Sequence, residues 1–492
     1  MNKKIKTLII GGVALVLLVG VLLLLLFLPQ QETESEESSA TVSTTTVEVY
    51  TGEVDNVSAL TVDQNGVSYE IVRDGEEFTI EALEGDGVSI LTSELSNTVT
   101  QFASVTATRL VEENPTDLTK YGLDNPAITV DVTYADGTSH QVKLGNALPT
   151  DDGYYTLVDD GTTVYATGTS KYTCAAKRAL DYVSTEVIET WTAPTDADGN
   201  ATQESAIINH LEIEGATFAD LGTFRMEAQE VESGDGVVYS SGYRIVSPFE
   251  ADFRIRTDED GNDQNAIYTS NLSAFSADSV AYLFPEESDL TACGFDAPYA
   301  VIRFARDGED HVWTVGNQVE GSTDRYLMAD DKPIIYQVAE AKLPWITADI
   351  NNLFSTLMIL PHINDVAGVD IMVNGQEYIV EMSGEDDSLV AVMNGTELST
   401  DIFRKFYQYL LSAPAEGLNL DGEKGELLAS FTYHYKDTSV PDDTVQFYDA
   451  GNRRVIISLN GNDTYISRST YVDVLAKNCE KVLAGETPIL DY

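Results

Sequence analysis

The feature that most constrains this chain is that it says one thing twice. "DLTKYGLDNP", beginning at Asp117, returns as "DLTACGFDAP" at Asp289. Aligning Gly122 with Gly294 also pairs Asp124 with Asp296 and Pro126 with Pro298. One residue is then lost, and the match resumes at a constant offset. Asp136-Gly137 falls on Asp307-Gly308, His140 on His311 and Gly145-Asn146 on Gly316-Asn317. Tyr155 falls on Tyr326, Asp159-Asp160 on Asp330-Asp331 and Tyr165 on Tyr336. Chance does not hold one register over so many positions, so a duplicated fold is expected. A fainter third copy pairs "NGNDTYISRS" (Asn460 to Ser469) with "DGTTVYATGT" (Asp160 to Thr169), and "LSTDIFRKFYQYLL" with "LTSELSNTVTQFAS". At 492 residues the chain is too long for one ordinary core, and three copies of normal domain length account for it.

Within one copy the pattern changes period. "VSALTVDQNGVSYEIVRDGEEFTIE" alternates apolar and polar residues around Asn-Gly and Asp-Gly turns, which predicts a meander of strands. "TSELSNTVTQFASVTATRL" places Leu95, Val99, Phe102 and Thr106 at helical spacing, with Thr92 or Ser93 as N-cap. "AITVDVTYADGTSHQVKLG" and "YYTLVDDGTTVYAT" read as hairpins, the Asp-Gly pair as a type I′ turn, and "SKYTCAAKRALDYV" as a closing helix. The expected class is α+β: tandem modules, each a mainly antiparallel sheet with about two helices, following an N-terminal transmembrane helix. Module 1 is expected over 47–190, a linker over 191–206, module 2 over 207–360 and a divergent module 3 over 361–492.

Residues 1–46 are separate. Leu8 to Leu28 is an uncharged apolar run long enough to span a hydrocarbon core, behind Lys3, Lys4 and Lys6. No basic residue follows until Arg73, so residues 1–7 are expected in the cytoplasm and everything beyond Pro29 outside the membrane. The run lacks a small-x-small cleavage site, which favours an uncleaved anchor over a signal peptide. Residues 29–46, rich in Ser, Thr and Glu, read as a tether unable to form a core. Net charge is −53, from 28 basic against 81 acidic residues. Such a field repels phosphates, so nucleic acid is excluded as a partner. Cys174, Cys293 and Cys479 form neither a disulfide framework nor a metal pair, and Cys174 and Cys479 are expected as buried small hydrophobes.

Tyr121 to Pro126, Asp136-Gly137, Leu144-Gly145, Tyr154-Tyr155 and Val164-Tyr165 together resemble the family catalogued as domain of unknown function 4340. The likeness is good over about 57–190 and fair over 209–360. Beyond 361 the Gly-Leu-Asp-x-Pro turn is expected to survive only as "GLNLDG" (Gly417 to Gly422). The resemblance implies a bacterial surface protein, some of whose relatives accompany ABC-transporter or gliding-type gene sets. It implies no activity and carries no catalytic residues across.

The residues themselves assign no catalytic, cofactor-binding or metal role. His140 and His311 follow Asp-Gly turns and are expected as exposed hairpin histidines; His210, His362 and His434 show no metal spacing. "DADGNATQESAI" and "DEDGNDQNAIYT" imitate calcium loops through Asp196, Asp198, Asn200 and Asp258, Asp260, Asn262. They lack the glycine and the closing glutamate, leaving only weak Ca²⁺ binding open. Nucleophile and phosphate-loop motifs are absent. Gly122, Asp124, Pro126, Gly294, Asp296 and Pro298 are therefore read as a structural corner, in which Gly122 allows an unusual backbone angle and Asp124 bonds nearby amides. The expected protein is a non-enzymatic binding or scaffold protein with a protein or cell-wall partner, accessory to a transport or export complex. The alternatives are a carboxylate-dependent wall hydrolase and a solute- or cation-binding receptor.

Overall fold

A computed structural model describes residues 46–159, 161–229, 242–356, 358–420 and 422–491. It overturns the α+β expectation. The chain is β-rich: antiparallel sheets of eight, nine and nine strands, with two further sheets of two strands each. Among the described residues the longest helix, Thr470–Leu483, has 14 residues. The helix expected within 92–110 is present but shorter, as Thr92–Ala103; Thr106 belongs to the short strand Val105–Ala107, and the N-cap is Leu91 without a side-chain bond. In the second module the corresponding place holds only a 3-10 turn and the single helical turn Ile267–Ser270. Its sequence there, "RIRTDEDGNDQNAIYTSN", has no apolar stripe for a sheet to bury. The transmembrane helix expected over 8–28 lies outside the described residues. Among those described, no helix is long and apolar enough to cross a membrane.

The three large sheets share one order. In the first, Val57–Gln64 pairs on one side with its hairpin partner Val67–Asp74 and on the other with Ile128–Tyr134. Hairpins then carry the chain through Ser139–Ala147, Gly153–Val158 and Thr163–Gly168, and the earlier strand Arg109–Glu113 closes the far edge. In the second, Ile208–Gly215 and Ala300–Arg306 occupy the centre and Ser279–Leu283 the far edge. In the third these places belong to Val366–Val373, Leu427–Tyr435 and Gly417–Leu418.

Alternation puts Leu60, Val62, Ile71, Val130, Val132, Val142 and Leu144 on one face of the first sheet, where Leu95, Val99 and Phe102 of the helix cover them, all fully buried. At about 25 cal/mol per Å² of apolar surface, each such side chain contributes roughly 1.5–3 kcal/mol. The opposite face carries a satellite cluster, Tyr121, Leu123, Leu157 and Val164, which the repeated corner covers.

The modules interlock through strands handed forward. Val47–Tyr50 pairs with Val105–Ala107, completing the first module from its leading segment. Glu186–Ile188 pairs with Phe275–Ser276 in the same way, so it completes the second. Phe284 covers Gly85, where an added Cβ would lie 2.3 Å from the ring. The Lys332 ammonium donates to the carbonyl of Val187 at 2.8 Å. The end of the second module reaches back onto that module, the Ser355 amide donating to Asp252 at 2.8 Å and the Arg254 amide to Leu353 at 2.7 Å. The third module meets it where Asn462 and Thr464 donate to Glu250 at 3.1 and 3.3 Å. Segment 191–206, expected as a linker, is tied to a hairpin turn of the second sheet through Trp191 and Gln203, which donate to Asp307 at 2.8 and 2.7 Å.

Candidate functional site

The corner is built by glycine at two points. Gly122 adopts φ 68° and Gly294 φ 84°, after turns closed by Leu123 N–H to Leu118 at 3.1 Å and Phe295 N–H to Leu290 at 2.9 Å. The tighter constraint lies on the strand beneath. A Cβ on Gly145 would meet the Tyr121 carbonyl oxygen at 2.2 Å, and one on Gly316 the Cys293 carbonyl oxygen at 2.2 Å. Asp117, rather than Asp124, caps the first turn: it accepts from the Thr119 amide at 2.9 Å. Asp289 accepts from the Glu286 amide at 2.9 Å. Asp124 and Asp296 are exposed, Pro126 is half-buried and Pro298 exposed. In the third module "GLNLDG" is not a decayed corner. Gly417–Leu418 is the far-edge strand itself, paired with Ile466 and Tyr465, and the chain passes directly to the next strand at Leu427. The corner has been deleted there.

The histidines do a different job from the one their motif suggests. His140 Nδ1 lies 3.0 Å from Asp159, whose other oxygen accepts from the Gln141 amide at 2.8 Å. His311 and Asp330 repeat this at 3.0 Å, with the Val312 amide at 2.9 Å. Asp159 (φ 51°), Asp330 (φ 50°) and Asn460 (φ 52°) hold the same backbone turn. In the third module the Asn460 amide nitrogen donates to Asp443 at 2.8 Å, while its oxygen accepts from the Thr444 amide at 2.8 Å. The acid and its partner have exchanged strands while the hydrogen bonds are kept. The clip therefore needs complementary groups and has no need of an imidazole. Burial pushes the Asp159 carboxyl up, and the Gln141 amide and His140 more than offset it, leaving a net downward shift. The first Asp-Gly turn also departs from expectation. Only Gly137 has positive φ, as in a three-residue loop closed by Tyr134 N–H to Thr138 at 2.9 Å. Asp307 (φ 52°) and Gly308 (φ 85°) do form the type I′ geometry.

Both acidic loops consume their leading carboxylate. Asp196 accepts from the amides of Asp198 and Asn200, each at 2.9 Å, and Asp258 accepts from those of Asp260 at 3.0 Å and Asn262 at 2.9 Å. These are Asx turns, and the Asn200 and Asn262 amides hold both acids below the usual carboxylate range. Asp307 binds the segment between the sheets, accepting from the indole of Trp191 at 2.8 Å and the side-chain amide of Gln203 at 2.7 Å. Trp313 and Trp345 are fully buried, so neither lines a surface groove.

Two features carried no sequence signal. Lys171, only 8% exposed, donates to the carbonyls of Gln101 and, at 3.1 Å, of Ser104 at the end of the helix Thr92–Ala103. Burial pushes its ammonium down to about 8. In the third module the Tyr471 hydroxyl caps Tyr409 and Leu410 at 3.3 and 3.2 Å, doing the same work without charge. The other feature is a cleft of about 410 Å³, lined by Ser412, Pro414, Glu416, Arg468, Thr470, Leu490 and Asp491. Its charged walls stand where the first copy has Thr108 and Gly168. All three cysteines are free and buried, and burial raises the Cys479 thiol to about 12.

Residues 84–228 match the model of the family described as Domain of unknown function (DUF4340), a span running from the first helix into the second sheet. No curated protein and no solved structure matches the chain.

Proposed function

We propose that this chain, whose residues 84–228 carry the domain of unknown function 4340, is a membrane-anchored extracytoplasmic protein that works by binding rather than by catalysis. Three modules of the boundaries expected from the repeats would present the binding surface, with a protein or cell-wall partner, as an accessory of an ABC-type transport or export complex. One observation carries the reading. The groups that could have done chemistry, the His–Asp pairs and the leading acids of the calcium-like loops, are engaged in closing their own turns and hairpins. The uncharged run Leu8 to Leu28 behind three lysines supports the topology, and the −53 charge suits a basic partner or a cation-rich wall.

Protease added to intact producing cells tests it. Fragments from beyond residue 46 should be released while the N-terminal peptide stays with the membrane. Full protection of the modules until the cells are lysed would overturn the topology.

A further inference from the structure

The surface that distinguishes the third module from its repeats is the seat of the segment after its last helix. Helix Thr470–Leu483 ends in a Schellman turn: the Glu486 amide donates to Lys481 at 2.8 Å, the Gly485 amide donates to Val482 at 3.0 Å, and Gly485 sits at φ 73°. The turn sends residues 485–491 back along the helix. There they join no sheet. Asn478, fully buried, holds them instead: its Nδ2 donates to the Ile489 carbonyl at 2.9 Å and its Oδ1 accepts from the Ile489 amide at 2.7 Å. Pro488 is buried, Leu490 is 41% exposed, and the exposed pair Lys481–Glu486 adds little. Leu490 and Asp491 then form one wall of the 410 Å³ cleft against Ser412, Pro414 and Arg468.

A two-point amide clamp on one residue's backbone reads main chain, not side chain, and tolerates any extended peptide whose neighbours fit. The first copy has Arg178 in the place of Asn478, bonded to Asp181 at 2.7 Å, and its chain runs on into the next module. The clamp is thus not inherited from the repeat. Residues 487–491 pair with no strand and lie beyond the helix, so their release would leave the helix's own hydrogen bonds intact, with the buried Asn478 amide unsatisfied and the cleft widened.

We propose that this groove is a peptide-binding site for an extended partner segment with a proline followed by two aliphatic residues, and that Thr487 to Leu490 is a resident strap occupying it. The inference rests on the reading of the chain as a binding protein but not on its topology, so failure here would leave the protease result untouched. The test is fluorescence anisotropy with the labelled synthetic peptide Gly-Glu-Thr-Pro-Ile-Leu-Asp-Tyr. A variant ending at Ala484 should bind at least about tenfold more tightly than the full chain, because the resident strap no longer competes. Asn478→Leu in that variant should abolish binding with the melting midpoint held. A folded truncated variant that ignores the peptide, or binds it equally with Asn478→Leu, overturns the proposal. If truncation prevents folding, Ile489→Pro in the full chain removes the N–H that Asn478 accepts; peptide binding should then rise, and an unchanged titration overturns the proposal.

Discussion

At the scale of the residue, the corner shows which glycine matters. Gly122 draws the eye because its turn requires positive φ, yet an added Cβ there meets chiefly the side chain of Asn146, at 2.5 Å, which can rotate away, with the Asn146 backbone nitrogen at 3.1 Å. Gly145 is in ordinary extended backbone, but its neighbour at 2.2 Å is a carbonyl that cannot move. Gly145→Ala should therefore cost at least about 3 kcal/mol and Gly122→Ala about 1–2, read as denaturant midpoints of the full chain. Gly145 was invisible as a close-approach site in the sequence because nothing in its neighbours marks a backbone lying across it. His434 supplies a pH test. Its Nδ1 lies 2.7 Å from Asp442 and its Nε2 3.1 Å from Asp370. Burial lowers its pKa, but the two carboxylates more than offset this, so the folded value is raised. The stabilisation is then complete below the unfolded imidazole value and is lost as pH rises through the folded one. With the ring 39% exposed, the effect is on the order of 1 kcal/mol or less. His434→Gln should lower the melting midpoint at pH 5 and hardly change it at pH 9.

At the scale of the element, hairpins were legible because their alternation and turn residues are local. The helices were less so. Leu95, Val99 and Phe102 marked the first correctly, but Thr106 continued the period by accident, and Ser104 already has extended backbone at the C-cap. The fold class was misjudged for a related reason. A periodic stretch announces a helix clearly, while short edge strands such as Arg109–Glu113 exist only because a distant strand pairs with them. The segment 191–206 reads as a linker by composition, and its anchor is Asp307, more than a hundred residues away. Asp307→Ala removes the acceptor of the Trp191 indole and one of the two acceptors of the Gln203 amide, the Ser205 carbonyl remaining. It should loosen the segment, so that limited proteolysis cuts between 191 and 206 faster than in the parent chain.

At the scale of the whole molecule, the first and second modules are each completed by a strand from the segment before them. Glu186–Ile188 lies within the expected bounds of module 1 but completes module 2. A fragment of 47–190 should therefore fold with its last residues unpaired, whereas 207–360 alone should melt lower than 185–360. That order reversed would remove the forward-strand account. At this scale the sequence shows residues paired at a constant offset; it could not show the missing corner beside the far-edge strand of the third sheet, because an absent element leaves no residues to read. The central claim is that residues shared by the modules build the fold and form no recognition surface. The direct test transplants the third module's clip into the first: His140→Asp with Asp159→Asn, measured by melting and by cross-linked capture from membranes of the producing cell. The account predicts that the double variant melts within a few degrees of the parent, that His140→Asp alone melts lower, and that the captured partners are unchanged. A double variant that keeps its fold but loses its partners would contradict it and place recognition on the surface the repeats share.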